Sequence, residues 1–275
     1  MYQKSIEEAK KRLFRGELVI FPTETVYGIG GNANNRKSIE LIYKTKNRPI
    51  NNPLICHFAN MEEIEKNFIL KDKDYELANT FWPGPLTLIL KKKINSMISP
   101  LLSNNKNQVG CRIPNNKISL SLLSIIDFPI AAPSANIATR TSVTSIEDLD
   151  YKLKEIFYID GGSSVLGLES TVIKTTKNGC KILRLGSLTI EDIKIKFPKY
   201  EISIDQSDVS PGNQLKHYSP IKPIRINVDF VKKNETLLNF GINELTSDIK
   251  SLNLSINENL SDASYNFYNY LNILD

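Results

Sequence analysis

Residues 44–57, KTKNRPINNPLICH, end one element and begin the next, and the fold is arranged around this turn. Lys44, Lys46 and Arg48 lie at the end of a helical apolar pattern, where the helix dipole favours positive charge. Two prolines then stop the helix and restrict the backbone, and a short apolar strand ends at His57. The stretch predicts a helix-to-strand unit that holds its basic groups and His57 on one rim.

The basic segment has two interpretations. An isolated K-x-K-x-R segment is more often a solvated helix end than a binding site. Three cations on a rigid backbone would also suit a polyphosphate, because fixed positive charge attracts it. This stretch alone leaves both interpretations open.

Composition limits the class of protein. The chain has 275 residues, of which 41% are hydrophobic, so we expect one large domain, or one domain with a small appendage. A net charge of +5 suits an anionic small molecule or a weak RNA contact, but does not by itself indicate a nucleic-acid-binding protein. Without a signal pattern or an apolar run near ~20 residues, we expect a cytoplasmic protein with no membrane association.

The cysteines indicate no special chemistry. Cys56, Cys111 and Cys180 are far apart and form no C-x-x-C motif. This spacing argues against a disulfide framework and a zinc site. We therefore expect no metal held by the protein itself.

The sequence before residue 44 contains signals for two helices and for a turn between them. Ser5, followed by Glu8, predicts the start of a first helix, and Asn35 predicts the N-cap of a second. Between them, residues 22–32, PTETVYGIGGN, follow a buried strand with hydroxyls, a carboxylate and glycines. Ligands of open α/β sheets bind at that end of a strand, although neither common glycine-rich nucleotide motif is present.

Further polar groups follow later strands. Arg112 lies between apolar residues of a predicted strand, so it needs an anionic partner, either a protein carboxylate or a ligand. Residues 133–136, PSAN, form a loop of small residues that would let a ligand approach the backbone.

Strands alternate with helices early in the chain and cluster later. This order predicts an α/β fold with a twisted, open, mixed sheet and flanking helices. From Asp205 the composition becomes that of a linker, and one strand is predicted around Ile224–Val228. We therefore predict a catalytic domain at 1–204, a linker at 205–222 and a small, reduced C-terminal module at 223–275.

The motifs together resemble the YrdC-like family, and specifically its long, two-domain threonylcarbamoyl-AMP synthases. Five separated segments carry the resemblance, and they are Pro22–Gly31, Lys44–His57, Pro133–Asn136, Asp160–Ile173 and His217–Pro220. The resemblance implies a nucleotidyltransferase that joins L-threonine, bicarbonate or CO2 and ATP into threonylcarbamoyl-AMP and pyrophosphate, for threonylcarbamoyladenosine in tRNA. It also implies magnesium brought by ATP and a downstream tRNA-modifying transferase complex as partner.

The resemblance also implies roles for individual residues. The basic motif assigned to catalysis consists of Lys44, Lys46 and Arg48. The residues that match L-threonine contacts are Thr25, His57, Arg112, Ala132 and Ser170. Those that match ATP contacts are Arg48, Asn52, Gln108, Ser134, Ser142, Arg184 and Tyr218. With His217, Tyr218 would make the linker a flap over the site.

The chain departs from the family pattern at a few positions. It has Ala138-Thr139 and Ser142-Val143-Thr144 where a Ser-Gly pair and a Ser-Pro-Thr segment are usual, and Asn116 where histidine is common. The region beyond Pro220 is shorter than the usual second domain.

The sequence leaves two other functions as alternatives. The first is an RNA-binding YrdC-like module without synthase activity, which would not require a threonine pocket. The second is a carbamoyl-transferring relative of the hydrogenase-maturation type, which is disfavoured because its additional zinc-finger and acylphosphatase segments are absent from this sequence.

Overall fold

The computed structural model describes residues 2–104, 106–205 and 218–275. Its helices are α1 (Gln3–Phe14), α2 (Arg36–Lys46), α3 (Met61–Asn67), α4 (Asp72–Phe81), α5 (Lys117–Ser124), α6 (Ile190–Lys196) and α7 (Leu260–Leu274). Its strands are β1 (Val19–Phe21), β2 (Gly28–Asn32), β3 (Ile55–His57), β4 (Phe68–Ile69), β5 (Leu86–Lys92), β6 (Gln108–Arg112), β7 (Ile130–Ala131), β8 (Thr171–Thr175), β9 (Gly179–Arg184), β10 (Glu201–Ile204), β11 (Leu237–Asn239) and β12 (Ser251–Asn253). Short 3-10 helices cover Pro100–Ser103 and Ile146–Asp148.

The described residues form one ten-stranded mixed sheet in the order β1-β2-β7-β3-β6-β5-β8-β9-β10, with β4 paired to β5. Parallel pairs β3–β6, β5–β8 and β9–β10 are interleaved with antiparallel ones. This is the α/β fold with a mixed sheet that the sequence predicted.

Helices cover both faces of the sheet because successive strand residues point in opposite directions. In β1, Val19 and Phe21 join the cluster that contains α1 and α5, whereas Ile20 joins the cluster that contains α2 and α4. Both clusters are buried hydrophobic cores.

The helix-to-strand unit confirms several local predictions. The side chain of Asn35 accepts hydrogen bonds from the backbone of Lys37 and Ser38, which caps α2. Asn47 adopts a left-handed conformation (φ 52°) directly after this helix. The chain then enters β3, whose parallel pairing with β6 places His57 beside Arg112.

Two local predictions were wrong. Helix α1 begins at Gln3, so Ser5 lies inside its first turn and is not its cap. The segment from Ile224 to Val228 forms no strand, and its isoleucines are exposed, because no neighbouring strand offers them a partner among the described residues.

Helix α7 joins the C-terminal residues to the loop that precedes β8. Ser264 of this helix donates a hydrogen bond to the carbonyl of Leu166 (2.8 Å). Gly167 has φ +73°, and a Cβ there would lie 2.3 Å from the carbonyl oxygen of Ser264, so the close approach requires glycine. The domain boundaries at 204 and 222 stay predictions, and most of the predicted linker lies outside the described residues.

None of the helices in the described ranges combines the length and the hydropathy of a membrane-spanning segment.

Candidate active site

A cleft with about 860 Å³ of empty space, including the part open to solvent, lies over one face of the sheet. Its floor consists of alternate residues of neighbouring strands, namely Ile55, His57, Thr87, Ile89, Gly110, Arg112 and Val172. The residues between them, such as Cys56 and Cys111, point into the core on the other side. The turn after β1 forms one wall, so the cleft extends from the predicted strand end across the sheet.

Arg112 is held from several sides at one end of the cleft. Its Nη1 donates a hydrogen bond to the hydroxyl of Thr25 (2.9 Å), and its Nε donates one to the carbonyl of Gly84 (3.2 Å). Its Nη2 lies 2.7 Å from Oε1 of Glu24. The buried arginine therefore has a protein carboxylate as counterion and still lines the cleft.

His57 lies beside Arg112 and is neutral at physiological pH. Burial, and then the positive charge of Arg112, lower the pKa of His57 to about 3. Its Nδ1 is buried and has no hydrogen-bond partner among the described residues. His57 therefore contributes an uncharged imidazole to the lining of the cleft.

Ser170 lies between the two ends of the cleft. Its hydroxyl is 2.8 Å from that of Thr87 and accepts a hydrogen bond from Nη2 of Arg184 (3.1 Å). The backbone carbonyl of Ser170 also accepts hydrogen bonds from Arg184. Ser170 thus links the sheet floor to a second arginine.

The other end of the cleft is basic. Nη1 of Arg184 lies 3.3 Å from the hydroxyl of Tyr218. Burial lowers the pKa of Arg184, but the nearby Tyr218 and Glu169 outweigh it and raise the pKa above its ordinary value. Arg48, whose pKa burial lowers to about 10, is charged at neutral pH. The positive charge of Arg184 also contributes to lowering the pKa of Arg48, and an anionic ligand would offset this repulsion.

The structure brings together most of the residues that the resemblance implied. Those that line the cleft are Thr25, Arg48, His57, Arg112, Ala132, Ser134, Ser170, Arg184 and Tyr218. Thr25 and His57 lie beside Arg112, whereas Tyr218 and Arg48 lie near Arg184.

Two of the three cations on the predicted rim lie elsewhere. Lys44 is exposed on α2, and Lys46 is only 1% exposed. The ammonium of Lys46 donates to the carbonyls of Ser134 and Asn136 and to the side chain of Asn136. Burial lowers its pKa well below the ordinary value. Lys46 therefore supports the loop at 134–136 from behind, because the helix turns it inward.

Three further residues do not line the cleft. Asn52 accepts hydrogen bonds from Arg48 and so orients that arginine. Ser142 is fully buried and donates to the carboxylate of Glu169. Gln108 is exposed at the start of β6, roughly 13 Å along the strand from Arg112, because each strand residue advances the chain by about 3.3 Å. The remaining flap residue, His217, lies outside the described residues.

Sequence reasoning gave no role to Glu24, Thr87 or Glu169. Glu24 is the single carboxylate of the PTETVYGIGGN turn. The prediction that the buried Arg112 needs an anionic partner was the signal that could have identified it. Glu169 accepts from Ser142 and also from Tyr268 of α7 (3.0 Å), a contact that no local pattern indicates.

The potential metal ligands among the described residues do not form a metal-binding site. Among the described residues, no group of three or more His, Cys, Asp or Glu side chains could hold a metal ion. Glu169 is the acidic side chain that lines the cleft, and both of its oxygens accept protein hydrogen bonds.

Comparisons with known protein sequences identify the family of this chain. A family model for Sua5, YciO and YrdC, described as "Telomere recombination", matches residues 11–186. The threonylcarbamoyl-AMP synthase of Pyrococcus abyssi is 39% identical, over 79% of this chain and 68% of that protein. The synthase of Bacillus subtilis is 38% identical, over 80% of this chain and 66% of that protein. The aligned region thus spans about two thirds of these relatives.

Solved structures give the same result. The crystal structure of Pyrococcus abyssi Sua5 complexed with L-threonine matches with a TM-score of 0.80 and 29% identity, over 98% of this chain and 85% of that one. Escherichia coli YciO shares the fold, with a TM-score of 0.60 and 20% identity, over 70% of this chain and 93% of that one. The chain therefore belongs to the Sua5/YciO/YrdC family.

Proposed function

We propose that this protein is a threonylcarbamoyl-AMP synthase, which forms threonylcarbamoyl-AMP and pyrophosphate from L-threonine, bicarbonate and ATP. The observation that carries the proposal is the division of a single cleft. Arg112, Thr25 and His57 lie at one end, Arg48 and Arg184 lie at the other, and Ser170 lies between them. In this proposal the end with Arg112 takes the amino acid, and the adjoining end with Arg48 and Arg184 takes the polyphosphate.

The amino-acid end suits a zwitterion with a hydroxyl group. Arg112 binds the threonine carboxylate, because a guanidinium presents paired N–H donors to a carboxylate. His57, whose pKa is lowered to about 3, offers a neutral imidazole and adds no charge. The hydroxyls of Thr25 and Ser170 complete the polar lining.

The reaction needs no protein nucleophile. The threonine amine and bicarbonate give a carbamate and water. A carbamate oxygen then bonds to the α-phosphorus of ATP, the bond from that phosphorus to the bridging oxygen breaks, and pyrophosphate leaves. Arg48 and Arg184 stabilise the triphosphate charge, and the protein contributes chiefly by positioning two anions against each other.

Residues outside the cleft support this arrangement in the proposal. Asn52 orients Arg48, and Lys46 holds the loop that carries Ser134. Lys44, Ser142 and Gln108 are assigned no direct contact, because they do not line the cleft. Tyr218 closes the nucleotide end beside Arg184.

The chemistry of the substrates and the product implies further partners of the reaction. Magnesium would arrive with ATP, since it usually binds phosphates and water rather than an all-protein cage. The product is a reactive adenylate, so we propose that a tRNA-modifying transferase complex consumes it in the cytoplasm. A weak RNA contact of this basic chain is part of the same proposal.

The test is pyrophosphate release by the purified chain with ATP and magnesium. We expect release that requires both L-threonine and bicarbonate. If the protein releases no pyrophosphate but binds tRNA with a steep salt dependence, the RNA-binding alternative is the better account.

A further inference from the structure

The ion pair between Glu24 and Arg112 has an unusual position. Both side chains are only 4% exposed, and Oε1 of Glu24 lies 2.7 Å from Nη2 of Arg112. Arg112 lines the cleft, whereas Glu24 does not. The carboxylate therefore contacts the guanidinium from outside the lining of the cleft.

The pair is electrostatic rather than hydrogen-bonded. Among the described residues, neither oxygen of Glu24 and neither N–H of Arg112 Nη2 has a hydrogen-bond partner. Buried polar groups are normally hydrogen-bonded, so an ion pair whose facing atoms have no hydrogen-bond partner is unusual.

The other contacts of Arg112 leave a suitable set of donors. A guanidinium has five N–H groups, and Gly84 and Thr25 accept from Nε and Nη1. One N–H of Nη1 and both N–H groups of Nη2 remain. Nη2 is buried against Glu24, so the orientation in which the guanidinium meets the cleft depends on this contact.

We infer that Glu24 is a positioning residue, which holds Arg112 in the orientation that binds the substrate carboxylate. The inference rests on the proposed function, in which that carboxylate belongs to L-threonine. Glu24 supplies the counter-charge that keeps a buried cation in place before the ligand arrives.

The experiment compares the wild-type full chain with Glu24→Asp and Glu24→Gln. Asp keeps the charge but withdraws the carboxylate by about one carbon–carbon bond, ~1.5 Å. Gln keeps the shape but removes the charge. The control is Glu62→Asp, which makes the same change in an exposed ion pair with Lys66.

Two readouts separate positioning from general stability. Kinetics give the KM for L-threonine and the KM for ATP. Thermal unfolding with and without L-threonine reports binding without turnover. For Glu24→Asp we expect the threonine KM to rise about tenfold or more, since small displacements of a positioning group have large effects. We expect the ATP KM to change by less than about twofold, and Glu62→Asp to match wild type.

The outcomes are distinct. An unchanged threonine KM in folded Glu24→Asp would overturn the inference, as would equal rises in both KM values. If Glu24→Gln does not fold, Glu24→Asp decides. If wild type itself shows no response to L-threonine, the proposed function fails and this inference fails with it.

Discussion

Tyr268 connects the C-terminal helix to the basic end of the cleft. It is 3% exposed, and its hydroxyl donates a hydrogen bond to Oε2 of Glu169 (3.0 Å). Its ring also packs against that of Tyr218, with centroids 5.7 Å apart. Replacing Tyr268 by Phe removes the hydrogen bond and keeps the ring.

The expected loss of stability follows from the partner's charge. A hydrogen bond to a charged group contributes about 1.5–3 kcal/mol, and its loss leaves a buried carboxylate oxygen unpaired. For Tyr268→Phe we expect the free energy of unfolding to fall by about 2 kcal/mol. This corresponds to a Tm that is lower by roughly 3–4 °C for a chain of 275 residues.

The same change should weaken ATP binding. Glu169 lies near Arg184 and raises its pKa, so a carboxylate released by Tyr268 can pair more closely with that arginine. It would then compete with the triphosphate. We expect a higher KM for ATP in Tyr268→Phe, with little change in the KM for L-threonine, because Arg112 is at the other end of the cleft.

Thermal and urea unfolding measure the first effect, and pyrophosphate-release kinetics measure the second. Tyr265→Phe is the matched control, since Tyr265 lies on the same helix and is 40% exposed. Equal unfolding midpoints for the two variants would show that the contact between Tyr268 and Glu169 does not stabilise the protein. An unchanged ATP KM in Tyr268→Phe would refute the electrostatic link.

Three further predictions concern the cleft and its support. Arg112→Ala should raise the KM for L-threonine far more than that for ATP, and steady-state kinetics that show equal rises would refute its role. His57 takes a proton near pH 6.5 in the unfolded chain but only at about pH 3 in the folded one, so stability is lost as the pH falls through this window. Between pH 7 and pH 5, wild type should lose about 2 kcal/mol more than His57→Gln in urea unfolding, and parallel curves would contradict the low pKa. Lys46→Met should cost roughly 3 kcal/mol or more, because it leaves the carbonyls of the 134–136 loop unpaired, whereas the exposed Lys44→Met should leave the unfolding midpoint unchanged. If Lys46→Met alters ATP binding without altering stability, Lys46 contacts the triphosphate instead of the loop.

Much of the fold was predictable because its signals are local. The Asn35 cap, the breaks at the prolines and the alternation of strands and helices depend on neighbours in the sequence. The start of α1 was misplaced because the Ser5 and Glu8 pattern also fits inside a helical turn. The strand expected near Ile224 is absent because strand formation requires a partner, which a local pattern does not supply.

The candidate site was only partly predictable. The sequence indicated that Arg112 needs an anion, but left a protein carboxylate and a ligand as alternatives. The structure contains the protein carboxylate, since Glu24 pairs with Arg112, and it also places Arg112 at the cleft that a ligand would enter. The sequence also left two interpretations of the basic segment, a solvated helix end and a binding site. In the structure the helix turns Lys46 inward, whereas Arg48 lines the cleft.

The sequence by itself determined the types of residue, the order of the elements and the family to which the chain belongs. Only the tertiary structure decided which side of each strand faces the cleft, that Glu24 pairs with Arg112, and that Tyr268 reaches Glu169 from α7. The physical reason is that composition, caps and turns act within a few residues. Charge pairing and burial act through space, between segments whose distance along the chain carries no information about their contact.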